Sequence, residues 1–172
     1  IYITVQAQKL NDGSRQIILP AKQFDEITKI LSELAAKTKA STILLADISG
    51  QLITQRGNTD DINTAILSAL AASDFAATSE MAKLVGEDAK FKLLFHEGEK
   101  RNVYLSNVGD NFFLVVVFDV SVTLGLVRIY TKKAIQNLLT VFDTSEAGDD
   151  AGKIIDQDFS SMLGDMLDES FK

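Results

Sequence analysis

The sequence predicts an α/β domain of the α+β kind: one antiparallel five-stranded sheet covered by three helices, with a β-hairpin extension in front and an acidic arm behind. Three observations carry this. Apolar residues recur at helical spacing in three stretches and at strand spacing in the segments between them. The strands are grouped and joined by short turns, which makes neighbours antiparallel. Of the 172 residues, 46% are hydrophobic, enough for one core in a chain of this length.

Residues 1–20 read as the hairpin extension. Ile1, Ile3, Val5 and Ala7 alternate with Tyr2, Thr4, Gln6 and Gln8, Asn11-Asp12-Gly13 is turn chemistry, and Ile17-Ile18-Leu19 returns to Pro20, the single proline. From Ala21 the period changes: Phe24, Ile27, Ile30, Leu31, Leu34 and Ala35 make an amphipathic helix, with Asp25 and Glu26 near its start and Lys37 and Lys39 at its end. Thr42–Asp47 and Gln51–Arg56 form two strands around Ser49-Gly50. A long helix is expected from Asp60 to Val85, with Thr59, Asp60 and Asp61 as cap candidates and Gly86 as its stop. Three strands follow, Phe91–His96, Arg101–Asn107 and Asn111–Asp119, and the unbroken apolar run from Phe112 to Phe118 is expected to be covered on both faces. A last helix from Val122 to Phe142 takes Leu126, Ile129, Ala134, Leu138, Val141 and Phe142 as its apolar positions. The order is α-β-β-α-β-β-β-α over residues 21–143, and residues 144–172 form a linker and an amphipathic segment.

The net charge of −7 is unevenly placed. Residues 1–142 hold 15 basic and 15 acidic side chains, whereas residues 143–172 hold Lys153 and Lys172 against nine acids. A neutral globule with an acidic arm results. The absence of Cys and the single His argue against zinc, iron–sulfur and thiol chemistry. With no basic stripe, nucleic acid is not an expected partner. No apolar run reaches bilayer length and no signal-peptide pattern opens the chain, so no membrane insertion is expected and the cytoplasm is the expected location. No phosphate-binding loop or dinucleotide fingerprint occurs, so no bound cofactor is expected. His96 and Glu97 are strand neighbours that point to opposite faces, which makes His96 a structural or surface histidine rather than half of an acid–base pair. Asp60 and Asp61 read as helix-start acids.

The long helix is the informative element. Stepping round it, Ile66, Leu70, Ser73, Ala77, Met81 and Leu84 fall on one stripe, expected to face the sheet. A second stripe holds Ala65, Ala69, Ala72 and Ala76, with Glu80 and Lys83 at its end, while Leu67, Phe75 and Val85 lie outside both. Between Thr64 and Ala82 only Asp74 and Glu80 are charged. Such a helix is either buried within its own domain or an interface. Three helices on five strands offer little to bury so many faces, so the interface is the better reading, most simply a two-fold self-association. In the arm, Thr144 to Gly152 is a polar linker, and Ile154, Ile155, Phe159, Met162, Leu163, Met166 and Leu167 follow at helical spacing with acids between them. That pattern fits a tethered helix for a basic, grooved partner, or a solubilising tail. An acidic polar face disfavours membrane surfaces.

The chain from Thr42 to Phe142 resembles the Roadblock (dynein light chain) domain, closest to the MglB-type bacterial regulators. The resemblance rests on Asp47–Ile53 (DISGQLI), Ala82–Glu87, Phe95-His96-Glu97-Gly98 with Lys100 and Tyr104, and Thr123–Arg128. It implies a Roadblock/profilin-like three-layer sandwich and a homodimer in which the long helix and a neighbouring strand pair across a two-fold. It also implies a partner, a small Ras-like GTPase of the MglA type, whose hydrolysis the dimer stimulates by repositioning the GTPase's own catalytic residues, without an arginine finger. GTP and magnesium would be bound by that partner, and the regulator would have no catalytic site of its own. The implied setting is cell polarity and motility, with a cell pole as the more specific location. The dimer and GTPase interface would then involve Ala65, Ala69, Ala72, Phe75, Ala76, Glu80 and Lys83. The C-terminal segment, through Ile155, Phe159, Met162, Leu163, Met166 and Leu167, would add a GTPase contact linked to nucleotide exchange. Two departures stand out: the hairpin extension has no place in the family core, and Ser79-Glu80 stands where the family often has Gly. The alternative function is a non-catalytic Roadblock dimer that links a GTPase to other components.

Overall fold

The computed structural model describes the backbone of residues 2–4, 18–87 and 91–143, and the side chains of 19–87 and 91–143. The chain divides into two compact units, Ile1–Leu138 and Leu139–Lys172. In the first, strands β1 (Tyr2–Thr4) and β2 (Ile18–Pro20) pair antiparallel as a separate two-stranded sheet, Ile3 opposite Leu19. The expected turn at Asn11-Asp12-Gly13 lies outside the described residues.

Pro20 has an extended backbone and directly precedes helix α1, Ala21–Thr38, whose first turn needs no N–H from it. Asp25 and Glu26 therefore fall beyond the first turn. Ile27, Leu31, Leu34 and Thr38 form the buried stripe. Thr38 Oγ1 donates to the Leu34 carbonyl at 2.7 Å, and Lys39 closes the helix with a left-handed backbone at φ 52°.

Strands β3 (Thr42–Asp47) and β4 (Leu52–Gly57) meet at a turn organised by the Asp47 carboxylate. It accepts from the backbone of Ser49 and Gln51 at 2.9 Å each and from Ser49 Oγ at 2.6 Å. The pairing shifts register between Leu45 and Ala46, so that Thr54 opposes Leu45 while Leu52 opposes Ala46; Ile53 is the extra residue of a bulge.

Helix α2 runs Thr64–Leu84, shorter at its start than the sequence predicted. Its cap is Asn63, whose side chain accepts from the Ile66 amide at 3.1 Å, while Asp60 and Asp61 sit in the preceding turn. Strands β5 (Leu93–His96), β6 (Arg101–Val108) and β7 (Phe112–Asp119) follow. A last helix, α3, covers 124–143.

The five strands β3 to β7 form one antiparallel sheet in the order β4-β3-β7-β6-β5. Central β7 is buried from Phe113 to Phe118, as an apolar run with no polar face requires. Alternation along the strands separates two faces. Leu44, Leu105, Phe113, Val115 and Val117 lie beneath α2. Ile43, Tyr104, Leu114, Val116 and Phe118 point the other way, where Arg56 on β4 reaches Ser32 of α1 and Arg128 of α3 stands near Tyr104. The result is three layers, with α1 and α3 on one face and α2 on the other.

Candidate interaction surface

Helix α2 sits on the sheet by a side the sequence did not assign to it. Leu67, Ala71, Ala72 and Phe75 pack on the core cluster, Ser68 and Ala82 are buried, and the Phe75 ring lies tilted against Phe113 at 5.3 Å between centroids. The stripe expected to face the sheet faces out instead. Ile66, Leu70, Met81 and Leu84 are exposed, Leu70 at 62% and Leu84 at 86%, and Ser73 and Ala77 lie exposed between them. The reason is steric. Phe113, Leu44 and Leu105 already fill the sheet side, so the helix approaches on Ser68 and Ala71, with Leu67 and Phe75 interdigitating.

Of the residues assigned to the interface, Ala65, Ala69, Ala76, Glu80 and Lys83 are exposed, and Ala72 and Phe75 are half-buried. Ala69 and Ala72 also receive the β3–β4 turn: a Cβ on Gly50 would lie 2.8 Å from Ala69 Cα and 3.2 Å from Ala72 Cβ. Glu80 and Lys83 form an exposed ion pair at 2.6 Å, a contact of little energetic weight in water. The outward face of α2 is thus apolar over most of its length and edged by one balanced pair.

Strand β5 ends the sheet beside this helix, and among the described residues no strand pairs with its outer edge. His96, the last residue of β5, meets Asp74 of α2 at 2.5 Å between Nε2 and Oδ2. The histidine is a surface residue with a cross-element partner. Asp74 as that partner was not legible from local spacing, because the two are separated by 22 positions.

The remaining polar groups serve the frame. Burial pushes the Tyr104 phenol up, opposed by the Arg128 guanidinium and a hydrogen bond with Ser106. Hydrogen bonds from the Ser121 side chain and backbone, with Arg101 nearby, hold the exposed Asp119 carboxyl below the usual range. Arg56 donates to the Gln55 carbonyl at 2.7 Å as well as to Ser32. Among the described residues no group of three or more His, Cys, Asp or Glu could hold a metal ion, and no helix is long and apolar enough to cross a membrane. The C-terminal positions Ile155, Phe159, Met162, Leu163, Met166 and Leu167 lie outside the described residues.

The Roadblock/LC7 domain model matches residues 26–118. The structure of Myxococcus xanthus MglB is 40% identical, with 70% of this chain and 98% of that one covered and a TM-score of 0.68. A gliding protein MglB from Thermus thermophilus is 30% identical over 72% of this chain and 93% of that one, with a TM-score of 0.67. An MglB solved with a tetrameric arrangement is also 30% identical, over 72% and 92% of the two chains, at a TM-score of 0.68.

Proposed function

From the premise that the chain belongs to the Roadblock/LC7 family, among its MglB-type members, we propose that it regulates a small Ras-like GTPase of the MglA type as a homodimer that stimulates GTP hydrolysis. The observation that carries this is the outward apolar face of α2 next to the edge of β5, with which no strand among the described residues pairs. An exposed stripe of this size marks an association surface. A helix face and a strand edge side by side suit a two-fold in which both elements meet their own copies. The tetrameric arrangement named for one relative supports self-association, and the gliding role named for another supports a polarity and motility setting in the cytoplasm or at a cell pole.

The nucleotide and magnesium would be held by the GTPase. The regulator's part is positioning: phosphoryl transfer needs an aligned water and neutralised charge, and a dimer surface can press the partner's own loops into that geometry. The arginines among the described residues support a mechanism without a finger. Arg56 is tied to Gln55 and Ser32 on the α1 face, Arg128 stands near Tyr104 on that same face, and Arg101 stands near Asp119. The C-terminal segment supplies a further contact that promotes exchange. The exposed Glu80–Lys83 pair favours a second reading, a dimer that binds a GTPase without altering hydrolysis, because it puts charge where a close apolar approach would be needed.

Phosphate release from the GTPase, with and without this protein, separates the two. Stimulation that survives each of Arg56→Ala, Arg101→Ala and Arg128→Ala is the expected result. Unchanged release despite complex formation supports the scaffold, and loss of stimulation with binding intact in one variant reinstates an arginine finger.

A further inference from the structure

Helix α3 carries a second outward apolar surface, on the face of the sheet opposite α2. Its buried stripe is Val127, Thr131, Ala134 and Leu138. Leu126 and Ile129, which its spacing counts among the apolar positions, are exposed together with Leu124 and with Val120 of the preceding turn; Ile129 is 68% exposed. On the helix surface Leu126, Ile129 and Lys133 form one row and Leu124, Arg128 and Lys132 the next. Gly125 lies between the rows and leaves open space where a Cβ would stand, so backbone is bare there. The charges along this stretch have one sign: from Val120 to Leu138 the chain has Arg128, Lys132 and Lys133 and no acid, and all three are exposed. The other helices do not share this bias. Helix α1 sets Lys22, Lys29 and Lys37 against Asp25, Glu26 and Glu33, and α2 sets Lys83 against Asp74 and Glu80.

We infer that this strip rests on the surface of an anionic lipid bilayer, lying on it without crossing it. Side-chain chemistry is the first argument. Ile129, Leu126 and Leu124 can enter the boundary between headgroups and acyl chains, while Arg128, Lys132 and Lys133 reach the lipid phosphates with their stems laid along the apolar surface. Charge is the second: three bases with no acid oppose pairing of the strip with its own copy and favour an anionic surface. Geometry is the third, and it rests on the dimer proposed above. Two copies that meet through both β5 edges and both α2 helices share a two-fold perpendicular to the joined sheet. Both α2 helices then lie on one broad face and both α3 strips on the other. A flat bilayer meets the two strips at once, and the second contact is intramolecular, so two weak strips bind well together; a protein helix meets one strip. The α2 face points away from the lipid and stays open to a GTPase.

Flotation of the full-length protein with lipid vesicles, without any GTPase, tests this. Vesicles of equal parts phosphatidylglycerol and phosphatidylcholine should bind it roughly tenfold tighter or more than phosphatidylcholine alone, and added salt should narrow the difference. Ile129→Glu, and separately Lys132→Glu with Lys133→Glu, should each lower the affinity for the anionic vesicles by roughly tenfold or more, with unchanged circular dichroism. Lys83→Glu, the same charge reversal on the opposite face, should leave that affinity unchanged. Equal binding to the two lipid compositions, an equal loss in Lys83→Glu, or no binding at all, as a strip made for an acidic protein would give, would each overturn the inference. Ile129→Glu should stimulate hydrolysis in vesicle-free solution as the wild type does. A failed vesicle assay therefore leaves the regulatory reading untouched, and a failed hydrolysis assay leaves the lipid contact untouched.

Discussion

Gly50 and Tyr104 show how single residues fix the frame that presents α2. Gly50 has φ +90°, a backbone that other residues adopt at a cost, and its missing Cβ would stand 2.8 Å from Ala69 Cα. Neither problem can be relieved by rotating a side chain, because the obstacle is backbone. Gly50→Ala should therefore destabilise the fold by about 2 kcal/mol, read as a lower urea midpoint at unchanged slope. A neutral effect would mean that the turn does not rest on α2 in solution. Tyr104 is 3% exposed, and burial raises its phenol above the ordinary value of about 10. Below that value folded and unfolded chains both keep the proton. Above it the unfolded chain releases the proton while the folded chain retains it, so stability falls as pH rises through the window up to the folded value. Thermal melts from about pH 8 to about pH 11 should show a steeper loss in the wild type than in Tyr104→Phe. Parallel curves would remove Tyr104 from the account.

At the scale of elements, order and type were legible and orientation was not. The alternation and turn chemistry placed all five sheet strands to within a residue or two, because each strand's pattern depends on its own pleat. Helix α2 turns to the sheet a side other than the one its spacing suggests, whereas on α3 Ala134, Leu138 and Val141 are buried and Leu126 and Ile129 are exposed. Periodicity finds an apolar stripe, whereas the sheet takes the side whose residues interdigitate with its own. On α2 that side is Ser68 and Ala71 with Leu67 and Phe75; on α3 it is Val127, Thr131 and Ala134. The start of α2 was misplaced because two acids and a threonine near residue 60 imitate a cap that Asn63 supplies. The apolar residues left over, Ile66, Leu70, Met81 and Leu84, are the ones that need a second surface. In a two-fold each substitution acts twice, and burying one leucine contributes about 2 kcal/mol, so Leu70→Glu should weaken a dimer roughly hundredfold or more. Light scattering across a dilution series should show the apparent mass halve while the circular dichroism of the chain is unchanged. A mass indifferent to Leu70→Glu would place the association surface elsewhere.

For the whole molecule the charge is divided by position. Residues 1–142, which contain the sheet and its helices up to the last residue of α3, are neutral, and the imbalance of −7 belongs to the last thirty. A neutral body lets two copies approach without mutual repulsion. In the function proposed above, the acidic arm would be drawn to a basic surface through water, and salt would screen that attraction. These roles are separable, because α2 and β5 lie wholly outside the arm. Deleting residues 150–172 should leave the dimer's mass unchanged and lower its affinity for the GTPase by about tenfold, or about 1.4 kcal/mol. The deletion should also flatten the salt dependence: between about 50 mM and about 300 mM salt the full-length protein should lose affinity more steeply than the truncated one. Calorimetric titration of both proteins at the two salt concentrations measures this. If affinity and salt slope are the same with and without the arm, the arm serves solubility alone, and the contact with the GTPase belongs entirely to the neutral body.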